Sequence, residues 1–314
     1  MDTDEAKRVL RGPMIPVITN LTDDLSIDHA AIATNVRHVV ERGIVTGQGV
    51  LLAVGAGGDF PMLSVEERKA AAKTIVEAAA GEAPVVVGAQ DTRLDACIAL
   101  ARWAEEIGAV GIQVAPPYYY TPSDRDIVAW FRAVHDATER VCLMVYHTWW
   151  EGREMSPELI ERLAELPRCR SLKWSHPAGG TRYLRGVERF AETMAVVDNQ
   201  GLWVMTHMLG GTGVITHLAT VWPEHDVAVW TLLEAGDYVA AQQQIAAANW
   251  PWYDFRSMMA SRTGGESPTV KAALELCGRP GGPSRLPSRA LTVAERTELR
   301  ELLLRIGVPS VVGG

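Results

Sequence analysis

The sequence predicts a (β/α)8 barrel with a C-terminal helical appendage. Three observations carry that prediction. Eight short runs of aliphatic and β-branched residues recur along the first two thirds of the chain, and amphipathic segments rich in Ala, Glu and Arg follow most of them. The runs are near-continuously apolar rather than alternating, which is the pattern of strands buried on both faces of a parallel sheet. Strand–helix units repeated in this order close as a barrel. A doubly wound open sheet would normally show fewer units and a glycine-rich first turn, and Thr19-Asn20-Leu21 is not one.

The strand-like runs are Met14–Thr19, Gly49–Val54, Pro84–Ala89, Val110–Ala115, Val141–His147, Ser171–Ser175, Met194–Asp198 and Gly213–Thr216. Helical patterns fall at Asp28–Arg42, introduced by Ser26, and at Ser64–Ala80, where Ser64 and Glu67 have the spacing of a capping box. Further ones are Thr92–Ile107, Ser123–Thr138, Ser156–Leu166, Thr181–Ala191, Trp203–Leu209 and Pro223–Glu234. Residues 1–236 therefore read as the barrel, with Met1–Glu5 and Lys7 in a polar tail. Residues 237–314 read as an extension of three helices, Asp237–Ser261, Ser267–Cys277 and Thr292–Ile306, separated by Gly/Pro-rich breaks.

Composition narrows the function. The 314 residues carry a formal net charge of −8, which argues against a nucleic-acid footprint. No apolar run has the length of a membrane span, and the N-terminus is not a signal peptide. The four cysteines, Cys97, Cys142, Cys169 and Cys277, are scattered without a Cys-x-x-Cys pair, as expected of reduced thiols in a cytoplasmic protein.

Lys173 is the most informative single residue. The chain has five lysines: Lys7, Lys69 and Lys73 lie in polar stretches, Lys271 in a late helix, and Lys173 at the end of an apolar strand beside Trp174. An apolar setting disfavours the ammonium form, and a neutral amine can attack a carbonyl to form a Schiff base. A strand-end lysine can also simply extend its stem toward solvent.

In a barrel of this kind the residues at the C-terminal ends of the strands make the site. They include Gly55-Ala56-Gly57-Gly58-Asp59 after the second strand and Pro117-Tyr118-Tyr119-Tyr120-Thr121-Pro122 after the fourth. Tyr146-His147 end the fifth, Lys173 the sixth and Asp198-Asn199 the seventh, and Gly210–Gly213 lead into the eighth. An amine nucleophile, phenols able to move protons and backbone N–H groups able to hold a carboxylate suit imine chemistry on a 2-oxo acid. Packed aromatics and plain turn chemistry are the alternatives for the tyrosines and glycines. A metal held by His147, His176 and Asp198 is a further alternative, although no His-x-His or His-Glu-x-x-His spacing supports it.

These motifs together resemble the dihydrodipicolinate synthase/N-acetylneuraminate lyase family of Schiff-base aldolases. The likeness runs from about Arg11 to the C-terminal helices. Gly12–Thr19 is similar to the family's first strand, Gly55–Asp59 stands at its Gly-Thr-Thr-Gly-Glu, and Pro117–Pro122 resembles Pro-Tyr-Tyr-Asn-x-Pro. Tyr146 matches the proton-relay tyrosine, Lys173 the Schiff-base lysine, and Gly210–Ile215 the Gly-Gly-x-Gly-x-Ile segment. The resemblance implies a lyase with no metal or organic cofactor, usually a homotetramer built as a dimer of dimers, acting on a small 2-oxo acid. It implies Lys173, Tyr146 and Tyr119 as catalytic residues, and Ala56, Gly57, Gly58 and Ile215 on the substrate. His147, Trp149 and Asn199 are expected on the acceptor side.

The departures point away from a true dihydrodipicolinate synthase. Ala56 and Gly57 replace two threonines, one of which relays protons while the other helps to bind the oxo-acid carboxylate in the family. The arginine that holds the acceptor's carboxylate has no clean match, Arg153 being a weak substitute, and Trp149, Trp150 and Trp174 make the acceptor side more aromatic. The expected activity is aldol cleavage or dehydration of a 2-keto-3-deoxy acid. A barrel that keeps the lysine but only binds oxo acids is the rival.

Overall fold

In a computed structural model that describes residues 1–311, the eight strands close into a parallel barrel in chain order. They are β1 Gly12–Pro16, β2 Val50–Ala53, β3 Val85–Gly88, β4 Gly111–Val114, β5 Cys142–Tyr146, β6 Cys169–Trp174, β7 Ala195–Asp198 and β8 Gly213–Ile215. Every expected strand is present. The first lies earlier than expected, because Gly12-Pro13 reads as a break in the sequence yet works as strand here. Gly12 donates its N–H to the Thr212 carbonyl at 2.9 Å. Its φ is +96°, and a Cβ there would come within 2.7 Å of the Gln48 carbonyl, so glycine is required.

The helices are α1 Thr3–Val9, α2 His29–Val40, α3 Val65–Ala79, α4 Leu94–Glu106, α5 Asp124–Asp136, α6 Pro157–Ala164, α7 Gly180–Phe190, α8 Trp203–Met208, α9 Leu218–Val221 and α10 Pro223–Glu234, followed by α11 Tyr238–Gln244, α12 Trp250–Thr263, α13 Ser267–Leu276 and α14 Val293–Arg305. The expected polar N-terminal tail is in fact α1, capped by Asp2. It buries Ala6 and places Leu10, just beyond its end, in the same apolar cluster as Met14, Val50, Leu52, Val86, Cys142, Met144, Ala195 and Val197. So few apolar residues in so short a helix leave little periodic signal. Asp28, not Ser26, caps α2 by accepting from the Ala31 N–H. The capping box of Ser64 and Glu67 at α3 is present. The segment expected as one helix from Asp237 to Ser261 is interrupted by a π-helical turn, Ile245–Asn249.

The chain packs as two compact units. One comprises Met1–Met14, Val45–Leu52 and Gly81–Ile215; the other comprises Ile15–Ile44, Ala53–Ala80 and Thr216–Gly314. The core of the second is built from Leu218, Trp252, Met259, Leu274, Leu299 and Leu303 with their neighbours on α9 and α12–α14. Three of the cysteines are buried and Cys277 is half-buried, and all four are free thiols. Among the described residues no helix is long and apolar enough to cross a membrane.

One irregularity positions the site. Along the ladder between β5 and β6, Leu143 pairs with Cys169 but Met144 pairs with Ser171, so Arg170 is an extra residue on β6. Without the bulge Tyr146 would face Leu172. With it, Tyr146 faces Lys173, and the two side chains share a face of the sheet. The Arg170 guanidinium secures the bulge by donating to the Leu166 carbonyl at 3.2 Å, the Cys169 carbonyl at 3.0 Å and the carbonyl of Ala164 at the end of α6. Hydrogen bonds from a charged donor contribute roughly 1.5–3 kcal/mol each where they are not screened. Arg170→Ala should therefore lower stability by about 1–3 kcal/mol in urea unfolding; an unchanged midpoint would show that the bulge needs no clamp.

Candidate active site

Lys173 is 4 % exposed although it ends a strand. Its Nζ lies over the Tyr146 ring, 4.1 Å from the centroid. Cation–aromatic contacts of this kind contribute about 0.5–2 kcal/mol and hold the amine against one face of the phenol. The ladder fixes both backbones: Lys173 pairs with Tyr146 on one side and Val197 on the other, and its carbonyl accepts from the His147 N–H at 3.2 Å. Tyr146 is itself buried, and the edge of Trp150 meets its ring at 5.8 Å. Trp149 packs in turn on Trp150 at 5.4 Å. An aromatic wall thus runs from the buried phenol out to solvent, where Trp149 and Trp150 are 36 % and 45 % exposed. Trp150, rather than Trp149, is the tryptophan that touches the catalytic candidate.

Lys173 and Tyr146 belong to the inward-facing set of the barrel; the residues beside them belong to the outward-facing set. His147 is fully buried. Its Nδ1 lies 2.6 Å from the Ser175 carbonyl, and its Nε2 accepts the Met155 N–H at 3.0 Å. These two bonds define a neutral ring with the proton on Nδ1, and burial lowers its pKa further. With both nitrogens engaged, His147 offers nothing to an acceptor. Its expected role as a substrate contact is corrected to a structural one. Trp174 likewise turns away from the barrel interior. It stacks on His147 at 4.9 Å, donates its indole N–H to the Tyr183 carbonyl at 3.0 Å and leaves no room for a Cβ at Gly186 of α7. It adds nothing to an acceptor pocket.

Asp198 sits in the same outward layer. Its Oδ1 accepts from the Tyr183 hydroxyl at 2.6 Å and the Gln200 N–H at 2.8 Å. His176 instead pairs with Glu154 at 3.1 Å. The three residues of the metal alternative therefore serve three different sets of partners, and among the described residues no group of three or more His, Cys, Asp or Glu could hold a metal ion.

Arg153 donates to the Pro122 carbonyl at 3.0 Å and to Asp124 at 2.6 Å, tying its loop to the one that precedes α5. That engagement removes it as a carboxylate clamp. Tyr119 is not brought to Lys173. It is 83 % exposed, has φ of +83° and packs edge-on against Tyr120 at 5.2 Å. Asn199 is half-buried, and its N–H donates to the Trp174 carbonyl at 2.9 Å. Ile215 pairs with Met14 and packs partly buried on the inward cluster.

The glycine turn belongs to the second unit. Gly57 and Gly58 are buried, with Ala56 half-buried beside them. The Gly58 carbonyl accepts from the Thr19 hydroxyl at 2.7 Å. A Cβ at Gly58 would lie 2.8 Å from the Val17 carbonyl, and one at Gly57 would lie 2.8 Å from Pro16 Cβ and 2.9 Å from His217 Nε2. A threonine is therefore sterically excluded at position 57 as the turn stands. Sequence reasoning also missed a second buried lysine. Lys271 is 2 % exposed, pairs with Asp59 at 3.4 Å and donates to the Pro283 carbonyl at 2.8 Å, so a carboxylate and a carbonyl already engage it.

Residues 9–306 match the model of the dihydrodipicolinate synthetase family. A DapA-like lyase of Halobacterium salinarum is 31 % identical over 304 residues, covering 95 % of each chain. The 4-hydroxy-tetrahydrodipicolinate synthase of Halorhodospira halophila is 30 % identical, covering 96 % of this chain and 98 % of its own. Among solved structures, YagE, a prophage protein of E. coli K12 belonging to the dihydrodipicolinic acid synthase family and determined in complex with pyruvate, superposes with a TM-score of 0.84 at 25 % identity, covering 95 % of this chain and 99 % of that one.

Burial raises Asp198 from 3.8 to about 6. A carboxyl whose folded pKa lies above its unfolded value contributes stability that is full below about pH 4 and is lost as pH rises through 6. The loss is roughly 3 kcal/mol at 1.36 kcal/mol per unit. Asp198→Asn should flatten that part of the stability–pH curve between pH 4 and 6.5, measured as the difference in urea unfolding free energy between variant and parent. A difference that does not change with pH would show that Asp198 titrates normally.

Proposed function

The chain belongs to the dihydrodipicolinate synthetase family, and we propose that within it this lyase works through a Schiff base between Lys173 and a 2-oxo acid other than the partners of a true dihydrodipicolinate synthase. The observation that carries the reading is the buried Lys173 amine held over the Tyr146 ring. Once Nζ has given up its proton it adds to the C2 carbonyl, and loss of water gives the iminium. The iminium accepts an electron pair, so either the C3 proton or the C3–C4 bond can break to leave an enamine. Tyr146 moves the proton to and from the carbinolamine oxygen and the leaving or attacking oxygen. From the family resemblance, the backbone N–H groups at Ala56–Gly58 take the oxo-acid carboxylate, and Ile215 and Asn199 lie on the substrate. Tyr119 is the second proton-relay tyrosine, supplied to a neighbouring subunit's site within a homotetramer. Its exposure and positive φ support a place at a subunit contact. The enzyme is cytoplasmic on this reading.

Borohydride added with pyruvate should attach the ligand to Lys173, seen by peptide mass spectrometry, and Lys173→Ala should abolish labelling and turnover together. Labelling of Lys271 instead, or no labelling with any oxo acid tried, would sink the mechanism. Tyr146→Phe should lower kcat by roughly a hundredfold to ten-thousandfold with the fold intact; an unchanged rate would remove the phenol from the proton path.

The acceptor side supports a different substrate. Arg153 is committed to Pro122 and Asp124, and Trp150 and Trp149 present apolar surface beside Tyr146. A substrate carboxylate buried there without a partner would cost several kcal/mol. Oxo acids with an aromatic or sugar-derived distal part should therefore show a higher kcat/KM than the pair of pyruvate and aspartate semialdehyde in parallel assays. The reverse order would overturn this reading of the acceptor side while leaving Lys173 in place.

A further inference from the structure

A buried amide pair lies one inward-facing row before Lys173 and Tyr146. The ladders set Gly88, Gln113, Met144, Ser171 and Ala195 opposite one another from β3 to β7. Met144 and Ser171 come two residues before Tyr146 and Lys173, so this row shares their inward face. All of these residues belong to the unit that carries the lysine and the phenol.

Barrel interiors are normally filled by branched apolar side chains. Gln113 departs from that rule. It is fully buried, and its Nε2 donates to Oε1 of the buried Gln90 at 3.3 Å. Its own Oε1 is buried and has no hydrogen-bond partner among the described residues. The row supplies no donor for it. Gly88, Met144 and Ala195 carry none in their side chains, and the Ser171 hydroxyl donates to the Ala195 carbonyl at 2.9 Å. A buried amide oxygen calls for a donor, and water is the smallest molecule that provides one. Gln113 and Tyr146 are diagonal neighbours across β4 and β5. One strand spacing across and two residues along put their Cα atoms about 8 Å apart, a gap that a glutamine, a water and a phenol can span.

We propose that Gln113 Oε1 holds a water against the Lys173–Tyr146 pair, and that this water is the one expelled at C2 when the imine forms and added back when it is hydrolysed. The inference rests on the Schiff-base reading above. In hydrolysis the water oxygen bonds to C2, a proton of the water passes to the Tyr146 phenolate, and the C=N electron pair moves onto Nζ. Imine formation runs the same steps backwards. Gln113 acts through the water and is a positioning residue. Because both directions use the same water, Gln113 governs the rate of imine exchange and not its equilibrium.

Pyruvate carrying heavy oxygen at its C2 carbonyl loses it to ordinary water each time an imine forms and is hydrolysed. The loss above the spontaneous rate, followed by mass spectrometry, reads this step without an acceptor substrate. Gln113→Met, of similar volume, should slow the catalysed loss by roughly ten- to fiftyfold, the scale of one hydrogen bond to a buried group. The half-saturating pyruvate concentration in equilibrium calorimetry should stay unchanged. Gln113→Leu should behave in the same way, with thermal unfolding as a check on the fold of each variant. A merely structural amide predicts parental exchange in the folded variants. An amide that binds the oxo acid itself predicts a raised half-saturation. Either result overturns this inference alone. If the parent catalyses no loss, or Lys173→Ala catalyses as much, the Schiff-base reading fails and this one with it.

Discussion

The ladder between β5 and β6 sets Tyr146 against Lys173, and that pairing exists only because Arg170 is an unpaired extra residue. A slip of one position would pair Tyr146 with Leu172, and the lysine and the phenol would no longer share a face. The bulge is held by carbonyls at the end of α6, so a helix outside the sheet determines which side chains meet inside it. The amine then needs no further device to find the ring. Burial and the 4.1 Å contact follow from the register.

The polar residues around this pair are sorted by parity. Those on the inward face of β5 and β6 can do chemistry on a ligand. Their neighbours face the helix layer and hold the strand ends in place. His147, Trp174, Tyr183 and Asp198 form a stacked and hydrogen-bonded set whose members are almost entirely satisfied by one another and by nearby backbone. A neutral imidazole and a carboxyl with a raised pKa suit a layer with little solvent. Residues adjacent in sequence thus have opposite jobs, and proximity to Lys173 along the chain says little about contact with a substrate.

Much of the fold was legible because the barrel repeats one simple signal. All eight strands and the capping box at Ser64 follow from apolar runs and cap chemistry. The misses have local causes. Gly12-Pro13 carries a break signal that pairing with β8 overrides, and α1 is too short to show a period. In the site, Lys173 and Tyr146 stood out by residue type at strand ends. That His147 and Trp174 face outward follows from alternation along each strand once Tyr146 and Lys173 face inward, whereas the pairing of Tyr146 with Lys173 depends on the bulge at Arg170, which the sequence does not announce. Nor could it show that Arg153 is taken up by Asp124, that Lys271 is buried against Asp59, or that His217 fills the space beside Gly57, because each depends on segments distant in sequence.

The claim that Lys173 is the covalent centre, positioned by Tyr146, is tested most directly by a crystal structure of the protein soaked with pyruvate. The account predicts continuous density from Lys173 Nζ to the C2 carbon of the ligand, with the Tyr146 hydroxyl within hydrogen-bonding distance of the reacting atoms. Pyruvate bound with its carbonyl intact and Lys173 unmodified, at a pH where the protein turns over an oxo acid, would contradict it.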